Sequence, residues 1–313
     1  MKKLILATVV FIAATFCGAG DIITIGSGPM GGAYYPAGVG LGDIITKHNP
    51  DIKIRVEVTA GALENVSLLA QEEAEIGITS TDYAYFSSNG MPPFPGKVEN
   101  IAALFGGLAP GAFQYVVWDD SDINSILDLP GKKVAVGPQG NAASFNFKEL
   151  LAFYGEDYAD VKANYLPISD GVEQLLDGHV DMAIVQAGIP SPAIQEALAS
   201  GKKLRILSFP QEDREKILER FPYFSTIDLD KSIYPALGDA VITTFTTNNL
   251  LIVRTDLPED LVYRITASVF DNLDDFHKIH PVARWVNPQS AVKTPIPLHP
   301  GSAKYFKEKG YLK

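Results

Sequence analysis

Cysteine is almost missing. The 313-residue chain has one, Cys17, inside an N-terminal apolar run, so nothing downstream offers a disulfide or a thiolate metal site. Histidine is sparse too: His48, His179, His277, His280 and His299. His277 and His280 are three apart, but no third ligand follows at a metal-site spacing, and no G-x-S-x-G occurs to seat a nucleophilic serine. Positive charge is short, with 26 Lys+Arg against 37 Asp+Glu and a formal net charge of −11. Loss of Lys2 and Lys3 with a leader takes it to −13, which argues against nucleic acid as a partner. Past residue 20 no apolar run is long enough to span a bilayer. The sequence therefore predicts no metal, no cofactor and no catalytic constellation.

The N-terminus is different. Lys2 and Lys3 precede an apolar stretch over 4–16, followed by Gly18, Ala19 and Gly20. This is the three-part pattern of a secretory signal peptide, expected over 1–20, and it predicts export to the periplasm. Cys17 raises the alternative of a lipid anchor. Phe16 before it counts against that, because a lipid-modified cysteine usually follows a small residue.

From residue 22 to about 208, short β-branched runs alternate with amphipathic stretches, the α/β signature of a parallel sheet. The pattern occurs twice. "IITIGSGPMGG", "IKIRVEVTAG" and "AEIGITSTD" form the first pass; "KKVAVGPQGNAAS", "ANYLPISDG" and "VDMAIVQAG" form the second. Gly26 matches Gly137 at an offset of 111, Gly61 matches Gly171 at 110, and Ile78 matches Ile184 at 106. Two lobes of like topology are expected: 21–112, then 113–246, with 247–313 returning to the first. Strands over 113–118 and 243–253 should cross between them as a hinge. A helix over 259–280, with Leu261, Ile265, Val269 and Leu273 on one face, should carry the return.

Ligands of open parallel sheets sit beyond the carboxyl ends of the strands. The loops there are 27–35, 59–65, 79–83, 138–144, 169–171 and 186–190. They hold Gly, Ser, Thr, Asn, Gln and Tyr, and neither Lys nor Arg. Such loops can hold a small anion through backbone N–H groups at helix starts. Ser27, Gly61, Thr81, Gln186 and Gly188 are candidate contacts on this ground. Asp82 could meet a ligand ammonium or cap the helix it begins. Gly26, Gly28 and Gly31 spell G-x-G-x-x-G, with Glu57 after the next strand, but an exported chain does not meet nicotinamide cofactors, and "GPQGNAAS" breaks the pattern in the second pass.

"ITIGSGPMGGAYYPAGVGLGDIITKH", "VTAGALENVSLLAQEEAEIGI", "DLPGKKVAVGPQGN" and "PIPLHPGSAKYFKEKG" resemble, in order, the TAXI family, the exported solute receptors of TRAP transporters. The resemblance implies a periplasmic-binding-protein fold of type II kind, acting as a monomer without an enzymatic step. It implies capture of a small carboxylate or amino acid, glutamate-like ligands being the best-known class, and delivery to a TRAP-type membrane permease. It places Gly31, Gly32, Tyr34, Tyr35, Asn65 and Asp82 in the first-lobe site, and Asn141 and Ser144 in the second. Two positions depart from the family: Ser80, where Gln is frequent, and Gln186, where an aliphatic residue or Thr is common.

Overall fold

The computed structural model describes residues 22–28, 30, 33–139 and 141–313. The expected signal peptide, with Cys17, and the expected contacts Gly31 and Gly32 lie outside the described residues. Among the described residues no helix is long and apolar enough to cross a membrane.

The first pass folds as β1 (Ile22–Gly26), α1 (Tyr34–His48), β2 (Lys53–Glu57), α2 (Ala62–Ala70), β3 (Ile76–Ser80) and α3 (Thr81–Asn89). Then comes β4 (Ile101–Trp118). The second pass is β5 (Lys133–Ala135), α4 (Ala142–Phe153), β6 (Lys162–Asn164), α5 (Ile168–Leu176), β7 (Met182–Ala187) and α6 (Pro192–Ala199). β8 (Leu204–Ile206), α7 (Gln211–Arg220), β9 (Ser225–Leu229) and β10 (Ile242–Arg254) follow. The return segment holds α8 (Glu259–Phe270), α9 (Leu273–Ile279), α10 (Pro288–Ala291) and α11 (Pro300–Glu308).

The two passes share one topology. β1 lies between β2 and β3, all parallel, and β5 lies between β6 and β7, again parallel. The sheet is not parallel throughout, as the alternation alone had suggested. β10 runs antiparallel to β3, and β4 antiparallel to β7, giving the order β2-β1-β3-β10-β4-β7-β5-β6. β4 and β10 also pair with each other, and each serves both halves of the sheet.

The first crossing strand was expected over 113–118 and begins instead at Ile101. "GGLAPG", which the expected strand left out, is strand as well. Its irregularity is absorbed by register shifts against β10 between Asn248 and Ile252, and by Gly107 at φ +84°. The second crossing strand matches its expected place closely. The return helix is split rather than continuous over 259–280. α8 stops at Phe270, where Asp271 and Asn272 intervene: Asp271 accepts from Tyr305 and Lys309, and Asn272 donates to the Ser268 carbonyl. Leu261, Ile265 and Val269 are buried as expected, in a core shared with Ile23, Ile25, Leu41 and Ile45. Residues 169–171, expected as a loop, lie inside α5.

Burial of apolar side chains drives each half. A further core joins them on the α3 side, where Tyr83 and Phe86 pack in one cluster with Phe147, Phe221 and Tyr223.

Candidate ligand-binding cleft

Where the two halves face each other across the crossing strands there is a cleft of about 630 Å³. Its floor is Ala109, Pro110 and Gly111 of β4 with Thr247 and Asn249 of β10. The N-termini of α1 (Ala33, Tyr34), α2 (Gly61, Ala62), α3 (Ser80), α4 (Ala142) and α6 (Pro192) all open on it. This follows from topology: in a parallel unit every helix starts at the carboxyl ends of the strands. The starts of α1, α2, α3 and α6 carry no side-chain cap, whereas Asn141 caps α4 by accepting from the Ser144 N–H at 3.0 Å. At α2 the turn requires Gly61 at φ +111°, and a Cβ there would meet nothing within 4 Å. Glu64 takes the Ala60 N–H, leaving the first turn of α2 beyond it for a ligand.

Among the described residues that line the cleft there is no Lys, Arg, Asp or Glu. Polar groups are Tyr34, Ser80, Tyr83, Gln186, Thr247, Asn249 and His280; the rest of the wall is largely Ala, Pro and other apolar residues, with Trp285 at 46% exposure. Aligned peptide dipoles at the helix starts then supply fixed positive potential along the walls.

The expected contacts fall into three groups. Tyr34, Gly61, Gln186 and Gly188 line the cleft. The Tyr34 hydroxyl donates to Asn249 Oδ1 at 2.5 Å, and Gln186 Nε2 donates to Thr247 Oγ1 at 3.1 Å. Burial, with the Asp82 carboxylate nearby, pushes the Tyr34 hydroxyl well above the ordinary phenol range, so it stays a donor at neutral pH. Tyr35, Asn141 and Ser144 are half-buried beside the cleft and do not line it.

Ser27, Asn65, Thr81 and Asp82 lie beneath the walls with their polar atoms already engaged. Ser27 donates to the Glu57 carbonyl at 2.5 Å. Asn65 is fully buried; its amide donates to the Ser27 and Ile78 carbonyls, both at 2.7 Å, and its Oδ1 accepts from Thr59. Thr81 donates to the Tyr223 carbonyl and accepts from the Asn248 N–H. The Asp82 carboxylate is 0% exposed and accepts from Ser80 Oγ, the Tyr83 N–H (2.9 Å) and Asn146 Nδ2 (2.7 Å). Burial raises its pKa above the ordinary carboxylate range, and the three donors partly offset that. Its placement keeps it from touching a ligand ammonium directly.

The floor and the outer wall were missed by sequence reasoning. Thr247 and Asn249 sit in a run read only as a crossing strand. Their polarity amid "FTTNNLLIV" was the available signal. His280, Val282 and Trp285 come from the segment after α9, and nothing local marks them as cleft residues.

Tyr34→Phe is expected to weaken solute binding by about 0.5–1.5 kcal/mol, because Asn249 Oδ1 loses its donor at the cleft wall. Calorimetry on the two proteins checks it. Equal dissociation constants would mean the hydroxyl has no part in the site.

The sequence profile of the NMT1-like family matches residues 25–310. Solved structures share the fold. The periplasmic aliphatic sulphonate binding protein SsuA from Escherichia coli aligns with TM-score 0.50 at 15% identity, covering 85% of this chain and 80% of that one. A putative sulfonate ABC transporter's periplasmic sulfonate-binding protein, SsuA from Methylobacillus flagellatus KT, aligns with TM-score 0.52 at 15% identity, covering 83% and 73%. XAC2383 from Xanthomonas citri, bound to ATP, aligns with TM-score 0.53 at 13% identity, covering 92% and 94%. At such identities the likeness shows the architecture, that of a two-lobed periplasmic binding protein.

Proposed function

This chain belongs to the NMT1-like family, and from that premise we propose that it is an exported solute-binding protein that captures a small carboxylate and hands it to a membrane transporter. The observation that carries the ligand class is the set of helix N-termini opening on one cleft without a Lys or Arg among the described lining residues. A carboxylate held there takes hydrogen bonds from backbone N–H groups and neutral side chains, strengthened by the low dielectric of a closed cleft.

The finer reading is a glutamate-like ligand and a TRAP-type permease, as in the TAXI receptors that the sequence resembles. An ammonium on the ligand would sit best on the Ser80–Tyr34 side, where the buried Asp82 carboxylate gives a negative potential through the wall. Residues 1–20 act as the signal peptide. The lobes are 21–112 with 247–313, and 113–246, working as a monomer without a catalytic step. The hinge is the pair of crossing strands at the cleft floor, so loading brings the lobes together and signals cargo to the permease.

A thermal-shift screen of amino acids, dicarboxylates and alkanesulfonates tests this, since a ligand of the folded state alone raises the melting temperature. Glutamate or 2-oxoglutarate should stabilise by about 2.7 kcal/mol at a hundred times the dissociation constant. The matching amides should not. Small-angle scattering should show a smaller radius of gyration with the bound acid. A shift with sulfonates and none with carboxylates would sink the carboxylate reading.

A further inference from the structure

The carboxylate of Asp82 and the amide of Asn146 meet at 2.7 Å, and both residues are 0% exposed. They are 64 residues apart: Asp82 opens α3 of the first parallel unit, and Asn146 lies in α4 of the second. The strands β4 and β10 are therefore not the sole ties between the halves. Around this bond the same two helices share an aromatic cluster. Phe86 packs on Phe145 with ring centroids 4.6 Å apart and on Tyr223 at 5.0 Å, and Tyr85 packs on Tyr223 at 5.2 Å. Thr81 adds a hydrogen bond to the Tyr223 carbonyl.

We infer that Asp82 and Asn146 form a clasp between the lobes, closing the α3 side of the cleft and positioning the wall residues Ser80 and Tyr83. Ser80 Oγ and the Tyr83 N–H both donate to Asp82 Oδ1, while Asn146 donates to Oδ2, so one carboxylate joins the first-lobe wall to the second lobe. Lobe movement is then confined to the opposite side, where the segment His280–Trp285 borders the cleft. Asp82 is a positioning residue here and acts on a ligand through Ser80 and Tyr83.

The chemistry of the pair suits a contact that must hold in either protonation state. Asn146 Oδ1 is buried and has no hydrogen-bond partner among the described residues. With Asp82 ionised, Asn146 Nδ2 donates to it. With Asp82 protonated, rotation of the amide by half a turn brings the unpartnered Oδ1 round to accept the carboxyl proton. The titratable groups facing Asp82 are the hydroxyls of Tyr34 from α1, Tyr83 from α3 and Tyr223 from the segment before β9. Among the described residues Asp82 makes no ion pair.

Cys17 is the only cysteine in the sequence, so in protein made without residues 1–20 two introduced cysteines can carry spin labels. Val58 and Tyr165 are exposed, one in each lobe, and accept them. Distances are measured by pulsed electron spin resonance on ligand-free protein, so the outcome does not depend on which solute is bound. The unaltered clasp should give one narrow distance distribution. Asn146→Leu should add a second population at a different separation. Asp82→Asn should keep the single population, because an amide placed there can donate to Asn146 Oδ1. Asn146→Asp should keep the single population while the two buried carboxylates share one proton, and split it in alkali, where both ionise. Circular dichroism on each variant establishes that it is folded. A folded Asn146→Leu protein with the unaltered distribution would overturn the clasp. So would Asp82→Asn behaving like Asn146→Leu, or Asn146→Asp showing no change with pH.

Discussion

Gly188→Trp is expected to abolish solute binding and leave the fold intact. Gly188 follows β7, lines the cleft from the second lobe, and has nothing within 4 Å of where a Cβ would stand. A side chain added there meets open space rather than core, so stability should change by no more than about 0.5 kcal/mol. The indole instead takes up cleft volume that a solute needs, beside the carbonyls and amides of the floor. Loss of at least about a hundredfold in affinity is the expected result, equivalent to about 2.8 kcal/mol. Calorimetry with the acid found in the thermal-shift screen, together with the melting temperature of the free variant, measures both halves of the claim. Unchanged affinity in a normally folded variant would place the binding site elsewhere.

Gly40→Ala is expected to be strongly destabilising for a single added methyl. α1 crosses α9 so closely at this glycine that a Cβ would stand 1.9 Å from Ile279 Cγ2 and 2.8 Å from its Cβ and Cδ1. α1 is held on its other faces by Ile44 and Ile45 in the core, so α9 has to yield. Overpacking of this kind costs about 1–3 kcal/mol, and a domain of this size loses about 2–4 °C of melting temperature per kcal/mol. The consequence reaches the site, because Ile279 directly precedes His280, the first residue of the cleft's outer wall. Affinity should therefore fall along with stability. Ile279→Ala in the same chain should recover part of both, and the double-mutant cycle isolates the contact. A Gly40→Ala protein that melts with the parent would show that α9 can shift freely.

Stability should also carry a pH signature of Asp82. Its folded-state pKa is raised, so the fold binds that proton more tightly than the unfolded chain does. Stability from this group is therefore greatest in acid and falls as pH rises from the ordinary carboxylate value through the raised one. Asp82→Asn should remove that slope from urea titrations taken across the acid range, the other carboxylates contributing equally to both proteins.

Much of the architecture could be read from the chain alone. β-branched runs separated by glycine loops specify strand–loop–helix units, because period-two and period-3.6 burial cannot be exchanged for one another. The recurrence of the unit at offsets near 110 residues told of two lobes of one topology, and β2-β1-β3 and β6-β5-β7 share it. The absence of Lys and Arg from the strand-end loops could also be read directly, and five of those six loops border one cleft, 169–171 being helical instead. Cys17 and the N-terminal apolar run are local composition and need no fold to interpret.

Other features belong to the tertiary structure, because they depend on which distant segments meet. "GGLAPG" lies outside the expected strand and joins it because β10 lies alongside and pairs through it. Asp82, Thr81, Ser27 and Asn65 have the residue types of ligand contacts, and Ser80 and Tyr83, the neighbours of Thr81 and Asp82, do line the cleft. Whether a polar side chain at a strand end faces the solute or the framework turns on about one residue of phase, and sequence periodicity is not that sharp at a loop. Asp82 found Asn146, Asn65 found two carbonyls, and each was thereby withdrawn into the framework. Thr247, Asn249, His280 and Trp285 line the cleft instead, brought there by strands and turns from the far end of the chain. Local composition decided the kind of surface this protein offers a solute, and long-range packing decided which side chains compose it.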